Sequence, residues 1–153
     1  MILFVHTTIV QTMNYYYFVV LELVRTGHWL TDSVTRVLKG EDMYEPQFNV
    51  LRILQSMKGQ PISVNAILDR MIQRSSNVTR IIDKLEAKGL ANRVLSSKDR
   101  RKMDVVITSE GSELLKSLNK KVETFHQPLF KNLSTEEQQT LLHLIKKFKG
   151  EPV

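Results

Sequence analysis

A mainly helical fold carrying one small β-hairpin is what the sequence predicts, on three observations. Apolar residues recur at helical spacing in several separate stretches, the segment after Gly89 switches to strand-like alternation, and helix start and stop residues punctuate the chain at matching places. The 153 residues fit a single domain or one domain with an added arm, and 42% hydrophobic and 25% charged residues with 6 Gly and 4 Pro make a globular composition. The absence of cysteine excludes disulfides, thiolate metal sites and thiol redox switching within this chain.

The run from Met1 to Val24 is the most hydrophobic stretch, but His6, Thr7, Thr8, Gln11, Thr12, Asn14 and Glu22 interrupt it and no Lys or Arg precedes it. A signal peptide wants a basic start and a spanning helix wants about 20 mostly apolar residues, so neither a leader nor a membrane segment is expected. Residues 1–12 read as an extension, with Met13 as an alternative start. A long helix follows from Asn14 to Leu38, with Phe18, Leu21, Val24, Val34 and Leu38 among its apolar positions and Gly27 a weak spot.

Pro46 suits the first turn of a second helix, which reaches about Lys58, carries Phe48, Val50, Leu51, Ile53 and Leu54, and stops at Gly59. Ser63 is a good N-cap for a short third helix to about Met71, with Ile67 and Leu68 inward. In the fourth helix Val78, Ile81, Ile82 and Leu85 fall at i, i+3, i+4 and i+7, one buried stripe. At 100° per residue Ser76, Arg80 and Asp83 lie opposite, with Thr79 at the edge. Lys88-Gly89 ends that helix; Val94-Leu95 suggests a strand, Ser96 to Lys102 a charged turn, and Met103, Val105 and Ile107 a second strand. Thr108 or Ser109 opens a long helix with Leu114, Leu115, Leu118, Val122, Phe125 and Leu129, ending around Pro128. Ser134-x-x-Glu137 is a capping box for the last helix, whose Leu141, Leu142, Leu144, Ile145 and Phe148 form a broad apolar face.

Three helices followed by a two-stranded basic hairpin make a winged helix-turn-helix, spanning residues 46–108. Residues 13–38 and 109–149 are left as dimerisation helices, because together they hold more apolar surface than a lone winged helix would cover. Charge sharpens the reading. Between Arg70 and Lys102 ten basic residues stand against Asp83, Glu86 and Asp99, so this third of the chain carries +7 while the whole carries +6. An anionic partner facing this segment is expected. In this fold the N-terminal residues of the recognition helix meet base edges, and the hairpin tip reaches the adjacent minor groove, where narrow width favours arginine.

The texts Gln47 to Leu54 (QFNVLRIL), Ser76 to Leu90 (SNVTRIIDKLEAKGL) and Lys98 to Thr108 (KDRRKMDVVIT), with Gly111, resemble the MarR family of bacterial transcriptional regulators. The resemblance covers about two thirds of the chain in the family's order. It implies a homodimer that binds a pseudo-palindromic operator on double-stranded DNA through successive major grooves, repression being the family's commoner mode. It further implies a bacterial, cytoplasmic regulator without enzymatic activity.

By the same resemblance Ser76, Asn77, Thr79 and Arg80 contact bases or phosphates, Arg101 enters the minor groove, and Asp99 orients it. Lys98, Arg100 and Lys102 are cast as phosphate contacts, and Ser63, Asn65 and Ser75 complete the candidate DNA contacts. Other readings stand beside these: Ser75 or Ser76 as an N-cap, Arg80 paired with Asp83, and Asp99 shaping the hairpin turn. Leu68 stands where many helix-turn-helix proteins have a small residue, and Ile72 to Ser75 lacks the glycine often seen in the turn.

The family resemblance also suggests a small-molecule effector at the junction of dimer helices and winged domain, for which His28, Trp29, Tyr44 and Arg52 are the candidates. No cofactor and no metal is expected: His6, His28, His126 and His143 form no ligand pair in sequence, and no phosphate loop, dinucleotide fingerprint or G-x-S-x-G occurs. The alternative to a sequence-specific regulator is a winged helix used as a non-specific nucleic-acid or protein interaction module.

Overall fold

The computed structural model describes residues 15–73, 77–97 and 99–152. The chain runs α1 (Tyr15–Lys39), α2 (Glu45–Ser56), β1 (Ile62–Ser63), α3 (Val64–Arg70), α4 (Val78–Ala87), β2 (Ala91–Leu95), β3 (Met103–Ile107), α5 (Ser109–His126), a 3-10 helix (Gln127–Asn132) and α6 (Thr135–Lys149).

One core joins α1 to α5 and the sheet. In α2 seven of twelve residues are buried, and Val50, Leu51 and Leu54 meet Leu38 of α1, Ile67 of α3, Ile82 and Leu85 of α4, Val105 of β3, and Leu115 and Leu118 of α5. The expected stripe on α4 packs inward, with Ile82 and Leu85 fully buried, Val78 nearly so, and Ile81 partly buried against the same cluster. Leu68 of α3 packs partly buried on this core, so the larger side chain is accommodated there.

The sheet has three strands rather than the expected two, in the order β1-β3-β2, all antiparallel. Ile62 and Ser63 pair with Val105 and Asp104, so the residues leading into α3 flank the hairpin. Two residues give no readable alternation, and only their partner makes them a strand. β2 and β3 pair from Ala91↔Ile107 to Leu95↔Met103. Ser96 N–H donates to the Lys102 carbonyl at 3.0 Å above the last pair, closing the tip.

Two helix ends differ from the expected bounds. α2 stops at Ser56 because Lys58 and Gly59 both take positive φ, of 52° and 81°, which no α-helix tolerates. α5 ends at His126, and the residues around Pro128 form a separate 3-10 turn. The caps fall where their residue types demand: Ser63 accepts from Ala66 N–H at 3.2 Å, Thr108 from Gly111 N–H at 3.0 Å and Ser134 from Glu137 N–H at 3.3 Å. At the far end of α4, Gly89 takes φ 68°; its N–H donates to Glu86 O and that of Leu90 to Leu85 O, the paired bonds of a Schellman stop.

Thr108 joins the base of the hairpin to both flanking helices. Its N–H donates to Leu90 O at 3.2 Å and its hydroxyl to Gly89 O at 2.8 Å, while the same oxygen caps α5. Gly111 sits against this knot so closely that a Cβ there would overlap the Leu90 carbonyl oxygen.

Outside the core the helices are greasy and bare. Of the 25 residues of α1 only Ser33 and Leu38 are buried, and none of α6 is. Phe18, Leu23, Val24 and Trp29 of α1 and Leu141, Leu142, Leu144 and Phe148 of α6 are exposed. An open groove of about 840 Å³ runs between them, lined by Phe18, Leu23, Trp29, Phe130, Leu142 and Ile145 among others.

Candidate nucleic-acid interface

The recognition helix presents what its sequence spacing puts outward. Asn77 stands at the N-cap position of α4, and Thr79 and Arg80 are exposed on the first turn. Asp83 is the partner that Arg80 would need for a purely structural pairing, and it is engaged elsewhere. Arg93 of β2 reaches back across α4, donating from Nη2 to Asp83 Oδ1 at 2.6 Å and from Nη1 to Glu86 Oε2, while its own backbone N–H donates to Glu86 Oε1 at 2.9 Å. The Asp83 hydrogen bond leads in raising the Arg93 guanidinium above its ordinary value. Arg80 is in no ion pair among the described residues, so its charge is available.

This three-residue network pins the wing strand to the recognition helix. The signal in the sequence was an acidic pair, Asp83 and Glu86, inside an otherwise basic segment, and the sequence reading gave Arg93 no role. A second set of ties holds the same C-terminal half of α4. Lys88 Nζ donates to Asp42 Oδ2 at 2.8 Å and to the Asp42 carbonyl, and Lys84 Nζ lies 5.7 Å from the centre of the Tyr44 ring. Lys88 in turn lowers the Asp42 carboxyl below its usual range, by hydrogen bond first and charge second. Glu41 of the same α1–α2 connection pairs with Lys121 of α5.

At the hairpin tip Asp99 holds Arg101. Its Oδ1 accepts from Arg101 N–H at 3.1 Å and from Arg101 Nε at 3.3 Å, and Oδ2 lies 3.6 Å from Lys102 Nζ. The backbone bond from Arg101, followed by the side-chain one, draws the Asp99 carboxyl below its usual range. The Arg101 side chain is 92% exposed, so the carboxylate steadies the base of the guanidinium and leaves its outer edge to solvent. Lys102 N–H donates to Asp99 O at 2.8 Å, so Asp99 also shapes the turn. Arg100 is exposed and in no ion pair among the described residues. Ser63 and Asn65 are exposed at the start of α3, where the Ser63 hydroxyl caps the helix. The expectations on Ser75, Ser76 and Lys98 lie outside the described residues.

The four effector candidates do not converge within the chain. Arg52 lines a cleft of about 670 Å³ between α1, α2 and α5, with its guanidinium carbon 5.8 Å from the Phe48 ring centre. Trp29 faces the separate groove between α1 and α6. His28 and Tyr44 line neither, Tyr44 instead meeting Lys84. The cleft beside Arg52 mixes apolar Leu30, Val34, Phe48 and Val122 with polar Glu45, Asn49 and His126. Burial holds the Glu45 carboxyl above its ordinary value, and His126 Nε2 is buried without a partner among the described residues. Sequence reasoning missed Glu45, Asn49 and His126 because they come together only when α2 packs across α5. No group of three or more His, Asp or Glu suited to a metal occurs among the described residues, and no described helix is long and apolar enough to cross a membrane.

Comparison with known proteins agrees with this geometry. Residues 43–103 match the MarR family model. Over 118 residues the chain is 28% identical to the transcriptional repressor MprA of Escherichia coli K12, covering 77% of this chain and 67% of that one. The apo structure of wild-type MarR from E. coli has a TM-score of 0.70 and 26% identity, over 83% of this chain and 94% of that one. BpsR of Bordetella bronchiseptica, whose DNA binding is regulated by 6-hydroxynicotinic acid, shares the fold with a TM-score of 0.72 at 22% identity, over 85% of this chain and 91% of that one.

Proposed function

We propose that this chain, which belongs to the MarR family, is a transcriptional repressor that binds a pseudo-palindromic operator as a homodimer. The observation that carries the reading is the joint presentation of Thr79 and Arg80 on α4 and of Arg101 on the wing, with Arg93 clamping the two elements into one surface. Base edges are read from the helix and the minor groove from the tip, while Arg100 and Lys102 meet phosphates and set affinity and register. The dimer is supported by α1 and α6: an apolar surface of this extent is stable in water only when another surface covers it.

The cleft of Arg52, Phe48 and His126 is the proposed effector site, lying between the long helix α1 and the α2–α5 core. A small organic molecule there releases DNA if it binds better to a spacing of the two recognition helices that the operator does not accept. The regulation of BpsR by 6-hydroxynicotinic acid gives this reading a precedent within the fold.

Fluorescence anisotropy on the DNA upstream of the chain's own gene and on a scrambled duplex, at two salt concentrations, tests the function. Preferential binding at two chains per site, abolished by Arg101→Ala, is expected. Equal and steeply salt-dependent binding to every duplex, with a library selection yielding no preferred site, would refute it and favour a generic anion-binding module.

A further inference from the structure

Asn49 is a polar residue in the buried face of α2, between Phe48 and Val50 and itself only 6% exposed. Placing an amide there costs free energy unless its groups find partners. Its Oδ1 accepts the backbone N–H of Ile72 at 3.1 Å, a bond spanning 23 residues from α2 to the segment between α3 and α4. Among the described residues no backbone carbonyl accepts that N–H. Met71 has left the helix for extended backbone at φ −64° and ψ 138°, and its own N–H takes the last carbonyls of α3. The Ile72 side chain is 72% exposed, so between residues 71 and 73 the chain is held by the buried Met71 and the Asn49 bond.

We infer that Asn49 is a positioning residue for DNA reading, which fixes the chain at Ile72, six residues before the recognition helix begins at Val78. The inference rests on the DNA-binding function proposed above. Asn49 and Ile72 also both line the cleft beside Arg52. The turn is thus held from within that cleft, and an occupant that takes the Asn49 amide for itself releases Ile72 N–H and loosens the turn.

Asn49→Leu keeps the side chain's shape and removes the acceptor, at a site that favours apolar groups; Asn49→Asp keeps an acceptor oxygen. Two readouts on the full chain separate positioning from mere stability. Amide hydrogen exchange without DNA should show Ile72 exchanging at least tenfold faster in Asn49→Leu, with α2 and α4 core amides unchanged and protection regained in Asn49→Asp. The ratio of operator to scrambled-duplex affinity should fall roughly tenfold in Asn49→Leu, the loss of one well-made hydrogen bond. Affinity for the scrambled duplex and its salt slope should stay as in the wild type. Unchanged Ile72 exchange would overturn the inference, as would faster exchange with the operator preference intact. A wild-type protein with no preferred duplex would overturn the proposed function instead, and the exchange comparison would still decide whether Asn49 holds the turn.

Discussion

Replacing Gly111 and Gly27 by alanine should change stability in opposite directions, although both glycines lie inside helices. Gly27 sits mid-helix in α1 with nothing within 4 Å of a built Cβ, so Gly27→Ala gains helix propensity and should stabilise by up to about 1 kcal/mol. At Gly111 a Cβ would overlap the Leu90 carbonyl oxygen and stand 3.0 Å from both the Leu90 carbonyl carbon and Ile107 Cγ1. The oxygen cannot swing aside without breaking its bond from Thr108 N–H, so the base of the wing and the start of α5 must separate. Overpacking of this kind costs about 3 kcal/mol, and the propensity gain offsets about 1, leaving a net loss of about 2 kcal/mol. For a chain of this length that lowers Tm by roughly 4–8 °C. The assay is thermal and urea unfolding of both variants at one fixed protein concentration, because the proposed dimerisation would make Tm concentration-dependent. A Gly111→Ala variant within about 0.5 kcal/mol of wild type would refute the close-approach argument, since surface-like substitutions scatter by that much.

Further predictions address the interface. Asp99→Asn should weaken operator binding less than Arg101→Ala does, since it frees the guanidinium without removing it; anisotropy on the operator measures both. Because the folded Asp99 carboxyl is drawn below its ordinary value, its hold on Arg101 is complete above the usual aspartate range and is lost only as pH falls through the lowered value. The Asp99 contribution to operator affinity should therefore stay level from neutral pH down to that range. Arg93→Ala should destabilise by about 1–2 kcal/mol through loss of the paired Asp83 and Glu86 bonds, seen in urea unfolding, and should weaken operator binding more than scrambled binding. Leu142→Glu, on the bare face of α6, should give a monomer by light scattering and abolish operator binding at two chains per site.

Those parts of the fold whose cause is local were legible in the sequence. The stripe Val78, Ile82 and Leu85, the caps Ser63, Thr108 and Ser134, and the stop at Gly89 each follow from residues within one or two turns, and each stands where its spacing put it. What escaped depends on distant partners. β1 is two residues long and exists only because Val105 and Asp104 lie beside it. The Arg93 clamp and the Asn49 bond join residues on different elements, and no periodicity announces either. The effector candidates fall in different places for the same reason: Trp29 and Arg52 project from helices that place them in different cavities, and the residues gathered around Arg52 come from several separate elements. The outward positions of Thr79 and Arg80 were readable because one helix stripe buried leaves the rest of the helix exposed, and that of Arg101 because a charged turn joins two strands.

The knot at Thr108 separates what holds the wing from what the wing displays. The hairpin is fixed at its base and along its five-residue ladder, Ser96 and Lys102 close the frame beneath the tip, and Asp99 shapes the turn above it. Among the described residues above that frame, Ser97, Arg100 and Arg101 carry no core contact, so they can change without disturbing the fold. Doubling the length of such a loop costs only about 0.6 kcal/mol in closure entropy. Natural variation or a designed library at Ser97, Arg100 and Arg101 could therefore retarget the proposed minor-groove contact on an unchanged scaffold, leaving the proposed major-groove reading by α4 to vary separately.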